Sequence, residues 1–377
     1  MRETVSHQDG IRGCHMVGSI SGCPDAHTAF TQCVQHLPGR LKRIPDGEPG
    51  MRNFFVYPQF SVFSSVPQLV ANFEMNKAIV PKHFSDEEIS QGIAQLRELQ
   101  INTGYDDAAI ESYGVFKKLK EQGVIPKQAR FQVCLPTAAN VVIVIYHQFR
   151  AAAFEAYEAG LFRAMRKIQA EIPHEELSIQ LDMSVDSALW EGRWETHWFG
   201  DEDPKEAVLR YTLRMISQVE PEVELGLHNC YGILITEVFL PSSKLSTDVS
   251  SGDMEHKHFF EPSSLQPITE RTLALFARTS HKIAYSHCPV PQSAMSFLPE
   301  YYAPLKTLYP AMRAHGCELY LGVVVFNDTE GTQTRIDEAR KLAPKFGVAT
   351  GCGFGRTPAG DIEGTMRLMK EVSEPVL

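Results

Sequence analysis

The feature that most limits the fold is an alternation. Short apolar, β-prone runs are separated by longer stretches of helical period. Eight runs read as strands: 15–20, 40–45, 130–135, 177–181, 222–227, 282–286, 318–325 and 347–350. Between them, 85–99, 107–122, 149–170, 205–219, 268–279 and 333–342 carry apolar residues at helical spacing. Ser85 precedes Glu88 by three residues, the spacing of a capping box. Pro204 follows an acidic cluster and marks the start of the 205–219 helix. A strand–helix alternation repeated eight times predicts an α/β fold with a parallel sheet closed as a (β/α)8 TIM barrel. Residues 48–130 are too many for one crossover, so extra helices are expected after strand two. Residues 241–264 are polar and aperiodic. They are expected to form a long loop after strand five, lying over one face, with His256 and His258 in it as solvated loop residues; a lid is the alternative reading. Residues 14–377 are read as this single barrel domain and 1–13 as a flexible N-terminal tail.

Composition narrows the function classes. The formal net charge of −10 argues against a general nucleic-acid surface or an anionic-membrane surface. The apolar run 138–146 is too short to span a bilayer. The eight cysteines are irregularly spaced and include no C-x-x-C, which argues against a disulfide framework and a zinc ribbon. A reducing, cytoplasmic compartment is expected.

In such a barrel, chemistry gathers at the C-terminal ends of the strands. Reading past each run gives Ser19, then Asp46 and Glu48, then Asp182, then His228 and Cys230, then His287 and Cys288, and finally Cys352 and Arg356. Asp and Gly are ordinary turn formers there, whereas His and Cys are not, so the latter are the better signal. His228 and Cys230, in "ELGLHNCYG", share a face if the strand stays extended. With Cys352 they make the nitrogen and sulfur donor set that zinc favours, three protein ligands with one position open. His287 is the candidate for a fourth ligand, or for an acid–base group. A lone cysteine is more often a small core hydrophobe, so the coincidence of three strand-end positions is what points to a metal.

These residues bring in a resemblance. "GLHNCYG" resembles the H-x-C zinc motif in the catalytic domain of cobalamin-independent methionine synthase. "MVGSIS", "PDGEPGMRNFF", "IQLDMSVDSALWEG" and "TGCGFGRTP" are similar to further motifs of that family, in the same order. The likeness runs from about residue 14 to near the C-terminus and is closest to single-barrel relatives. It implies zinc held by His228, Cys230 and Cys352. It also implies that Ser19, Glu48 and Asp182 line the pocket for the amino-acid part of a thiol substrate, where two carboxylates suit an ammonium. Asp46, Arg52 and Arg356 join the substrate-binding candidates, the arginines for an anionic group. Asp182, Glu48 and His287 are the catalytic candidates; Asp186 and Trp190 are candidates for the pocket wall, with a core role the stronger expectation for Trp190.

Three departures from the family are visible. His287, in "AYSHCPVP", stands where the synthase has a ligand glutamate. Val325 and Phe326 stand where it has a strand-seven histidine. No tryptophan follows strand three to stack on folate. The resulting expectation is zinc-dependent alkyl or methyl transfer to a small-molecule thiol from a donor other than methyltetrahydrofolate. Two alternatives remain: a metal-independent decarboxylase or lyase related to uroporphyrinogen decarboxylase, using Arg43, Arg52 and Asp46, and a non-catalytic barrel that binds zinc or a small molecule.

Overall fold

The computed structural model describes residues 11–71, 82–193, 199–231 and 261–377. Its strands are β1 (Ile11–Cys14), β2 (Arg43–Pro45), β3 (Arg130–Pro136), β4 (Leu177–Met183), β5 (Glu224–Asn229), β6 (Ile283–Pro289), β7 (Glu318–Val324) and β8 (Phe346–Thr350). They form one parallel sheet in the order β1-β8-β7-β6-β5-β4-β3-β2. The two ends of that order meet: the Cys14 amide donates to the Arg40 carbonyl at 2.8 Å, and Cys14 bridges Leu41. The fold is TIM-barrel-like.

The helices are α1 (Ala26–His36), α2 (Asp86–Glu98), α3 (Tyr105–Glu121), α4 (Ala138–Val141), α5 (Arg150–Glu171) and α6 (Val185–Trp190), followed by α7 (Pro204–Ile216), α8 (Gln266–Arg278), α9 (Leu298–Tyr302), α10 (Leu305–Ala314), α11 (Thr329–Arg340) and α12 (Ala359–Glu371). α2 and α3 both lie between β2 and β3. The α2 capping box closes: Ser85 Oγ accepts from the Glu88 amide at 3.2 Å, and the Glu88 carboxylate accepts from the Ser85 amide at 2.8 Å. Such a cap stabilises a helix by about 1 kcal/mol. No described helix is long and apolar enough to cross a membrane. Of the expected loop at 241–264, residues 241–260, with His256 and His258, lie outside the described residues.

The first strand differs from expectation. The ladder with β8 covers Ile11–Cys14, so 11–13, expected in the tail, belong to the sheet; residues 1–10 lie outside the described part. Ile11 pairs with Phe346 and Cys14 with Val348, three residues against two. Gly13, at φ 75°, absorbs the extra residue as a bulge. The apolar run 15–20 is buried for a different reason. It enters the barrel, with the His15 amide bonded to the Val348 carbonyl at 2.9 Å and Ile20 bridging Phe354. The second strand is shorter than expected because the backbone at residues 40 and 41 serves β1.

Strand alternation sorts the side chains. On β4, Leu177, Ile179 and Leu181 belong to the apolar core, while Ser178, Gln180 and Asp182 hydrogen-bond or titrate inside the barrel. On β5, Leu225 and Leu227 alternate with Glu224, Gly226 and His228. Outside β3, Phe131 meets Phe30 of α1 and Phe116 of α3 at 6.0 Å and 5.6 Å between ring centroids. The barrel interior is polar along its length. At the N-terminal ends, Arg43 binds the Glu224 and Glu318 carboxylates and lies 4.2 Å over the Tyr285 ring. Above it come Tyr285, Tyr320, His15, Gln132 and Gln180, and at the C-terminal ends the histidines and cysteines.

Candidate metal centre

Register sets out the first row of the site. Asp182 on β4 pairs with His228 on β5, and His228 pairs with His287 on β6. Cys230 follows β5 with its amide bonded to the Met183 carbonyl at 2.9 Å, which prolongs the extended path and keeps it on the same side as His228. Cys352 arrives from the loop after β8. There the Thr350 hydroxyl donates to the Cys352 carbonyl at 2.6 Å, and the Phe354 amide donates to the Ser19 carbonyl at 2.7 Å. Gly353 and Gly355 let that loop close on Ser19: a Cβ on either would stand 2.8 Å or 2.7 Å from the serine oxygen.

Three donor atoms meet as a result. Cys352 Sγ is 3.8 Å from His228 Nε2 and 3.9 Å from Cys230 Sγ, and all three donors lie within 4.8 Å of one another. Zinc bonds of about 2.3 Å to sulfur and about 2.0–2.1 Å to nitrogen, at tetrahedral angles, separate donors by roughly 3.5–3.8 Å. Two of the three separations come close to that spacing, and the donor chemistry suits a borderline-soft divalent ion. Electrostatics agree. The Cys352 thiol is held well below its usual value by hydrogen bonding to Cys230, against burial, with further help from His228 and Arg356. Burial works against a charged His228 ring, but Cys352 and Asp182 outweigh it and raise its pKa.

His287 is not in this triplet. Its Nδ1 lies 2.7 Å from His228 Nδ1 and its Nε2 2.9 Å from the Thr350 carbonyl oxygen. Burial, then the neighbouring His228, lowers its pKa to about 3.

Carboxyls lie beside the donors. Asp182 accepts from the Gln180 amide at 2.8 Å. Burial raises it to about 7, opposed by His228 and Gln180. Glu48 is pushed well above the carboxylate range by burial, then by Asp182 and Asp46, with Arg52 opposing. Its backbone sits at φ 50°, a costly conformation for a residue with a side chain. The peptide is gripped at both ends: Asp46 accepts from its amide at 2.9 Å and the Asn53 side chain donates to its carbonyl at 2.6 Å.

Asp46 is engaged on several sides. Besides the Glu48 amide it accepts from Arg52 at 2.7 Å and from the Ser112 hydroxyl at 2.7 Å, contacts that brace the loop. Arg52 is correspondingly tied to it. Arg356 lies close enough to lower the Cys352 thiol, and its buried Nε has no hydrogen-bond partner among the described residues. Asp186 is enclosed, accepting from Thr137 at 2.8 Å and Tyr211 at 2.6 Å. Trp190 is buried in the core.

Two neighbours were not legible in advance. Tyr105, the first residue of α3, is buried within electrostatic range of Glu48 and Asp182. It comes from the β2–β3 connection, where no strand-end rule applies. Cys134 lies under the carboxyls, its thiol 3.1 Å from the Val17 carbonyl, and passes for a core residue in the sequence.

No protein-family model matches the chain. No curated protein matches it. Solved structures do. One is a B12-independent methionine synthase from Shewanella sp. W3-18-1, at 12% identity and TM-score 0.42, covering 72% of this chain and 65% of that one. The chain thus spans 65% of the length of that relative. Another is a Listeria monocytogenes protein provisionally named a vitamin-B12-independent methionine synthase, at 15% identity and TM-score 0.46, covering 96% of both chains. At 12–15% identity, these two solved structures are what the chain is similar to.

Proposed function

We propose that the protein is an enzyme that transfers an alkyl or methyl group to a small-molecule thiol, with zinc held by His228, Cys230 and Cys352. The observation that carries this reading is the convergence of those three donors from two distant strand ends to within 4.8 Å of one another. A free thiol has a pKa near 8.5 and reacts as the thiolate. Zinc bound at this site would supply the Lewis acidity that keeps a substrate thiol deprotonated near neutral pH. In the transfer the sulfur–carbon bond forms as the bond from carbon to the donor breaks, and the leaving group takes the electron pair.

The chain's own residues bind and orient. Glu48 and Asp182 are held in a buried setting that disfavours their charge, so a cationic ammonium arriving between them would restore it. Ser19 and Arg356 stand on the Cys352 side, the arginine for an anionic group. In the decarboxylase reading, Arg43 would have to leave two glutamates on the barrel floor, and Asp46 and Arg52 each other, to hold a substrate.

Metal analysis of the purified chain tests the reading. Zinc near one per chain is expected, falling in Cys230→Ser and Cys352→Ser. A thiol panel on the cobalt-substituted protein then separates an enzyme from a metal-binding barrel. Thiol-dependent changes in the visible spectrum are expected, and a folded protein that takes up no zinc ends the proposal.

A further inference from the structure

We propose that His287 is a positioning residue that fixes which nitrogen of His228 faces the metal, and is not itself a ligand; this rests on the metal reading above. The Thr350 carbonyl can only accept, so the 2.9 Å contact places a proton on His287 Nε2. A neutral His287 then presents a lone pair at Nδ1. The 2.7 Å contact between the two Nδ1 atoms requires the shared proton to belong to His228. With Nδ1 protonated, His228 keeps Nε2 as its coordinating atom, and that is the nitrogen 3.8 Å from Cys352 Sγ.

The relay crosses a strand. His287 is on β6 and Thr350 ends β8, with β7 between them. The crossing lies at Gly322 of β7, where a Cβ would fall 2.8 Å from the Thr350 oxygen and 3.1 Å from His287 Nε2. Thr350 is also two residues before Cys352 and bonds to its carbonyl. The segment that delivers one donor thus sets the proton position on another. Ligating histidines generally give their second ring N–H to a carboxylate or a carbonyl; here an imidazole occupies that place and passes the constraint to a carbonyl. Both His287 nitrogens are spent in doing so.

The test uses the full chain, labelled with nitrogen-15 at histidine and stripped of metal by a chelator. A through-hydrogen-bond coupling between the two Nδ1 nuclei is expected, with His287 protonated at Nε2. A His287 protonated at Nδ1 overturns the proposal whether or not the protein takes up metal. Co2+ affinity is then measured by chelator competition in the wild type, His287→Gln and His287→Leu. Glutamine keeps an acceptor toward His228 and a donor toward Thr350; leucine keeps neither. His287→Leu should lose about 10–100-fold in affinity, while His287→Gln should stay near the wild type, with the shape of the Co2+ spectrum unchanged throughout. Equal losses in both variants with an altered spectrum would make His287 a ligand, and equal affinity in all three would remove its role. A wild type that binds no Co2+ defeats the metal reading instead, and the nitrogen coupling still decides the relay.

Discussion

Cys352 Sγ lies 3.8 Å from His228 Nε2 although 124 residues separate the two in the chain. A bond from each to one ion would tie β5 to the β8 loop in the folded state only. Ligands that bind only the folded state stabilise it by mass action, about 4 kcal/mol at a thousandfold excess over Kd. Chelator should therefore lower the melting temperature of the wild type. In Cys352→Ser the same treatment should have little effect, and differential scanning calorimetry with and without chelator checks both.

Asp182 gives a pH prediction with a definite sign. Its pKa is raised to about 7 by burial, against about 3.9 in an unfolded chain. The folded state therefore holds the proton more tightly. Between roughly pH 4 and 7 the stability of chelator-treated protein should fall as pH rises, with the full loss present above the folded value. Asp182→Asn abolishes the charge. It should melt higher than the wild type at pH 8 and about equal to it at pH 4. Glu48, whose pKa Asp182 raises, would add to the gain at pH 8.

The strands and helices were readable because alternation and 3.6-residue spacing are local. His228 and Cys230 share a side for the same local reason, and Cys352 follows from counting strand ends. His287 shows where such reading stops. Its position at a strand end was visible, but the direction of its ring depends on a carbonyl two strands away and on the absence of a side chain at Gly322. Asp46 shows the same limit. A carboxylate after a strand looks available until Arg52, Ser112 and the Glu48 amide are found on it. The 15–20 run reads as a strand on its apolarity, which burial inside the barrel explains equally well.

The barrel floor yields a prediction separate from the chemistry. Arg43 is almost fully buried and serves both Glu224 and Glu318. Arg43→Met leaves them without their shared partner, and stranding a buried charge costs roughly 3–5 kcal/mol. Glu224 keeps Arg130 at 3.0 Å, and Glu318, itself part-exposed, keeps Lys42, so the loss should sit toward the lower end of that range. Urea unfolding measures it, and the metal content of the folded variant should not change.

Gly226 faces the ring of Tyr285 so closely that a Cβ would fall 1.9 Å from its Cζ. Gly226→Ala should destabilise by about 1–3 kcal/mol or more through overpacking. In a Tyr285→Ala background the added methyl would have space, so the two changes should be strongly non-additive. A double-mutant cycle on unfolding free energies provides the check.

Ser19, packed into the notch beside Gly353 and Gly355, ties the loop bearing Cys352 to the segment that follows β1. The third donor is thus delivered by the closure of the ring itself. A folding intermediate with seven strands assembled and the eighth undocked would carry only His228 and Cys230, two donors on one strand end. Ion retention would then report barrel completion, because the full donor set exists only once β8 has docked.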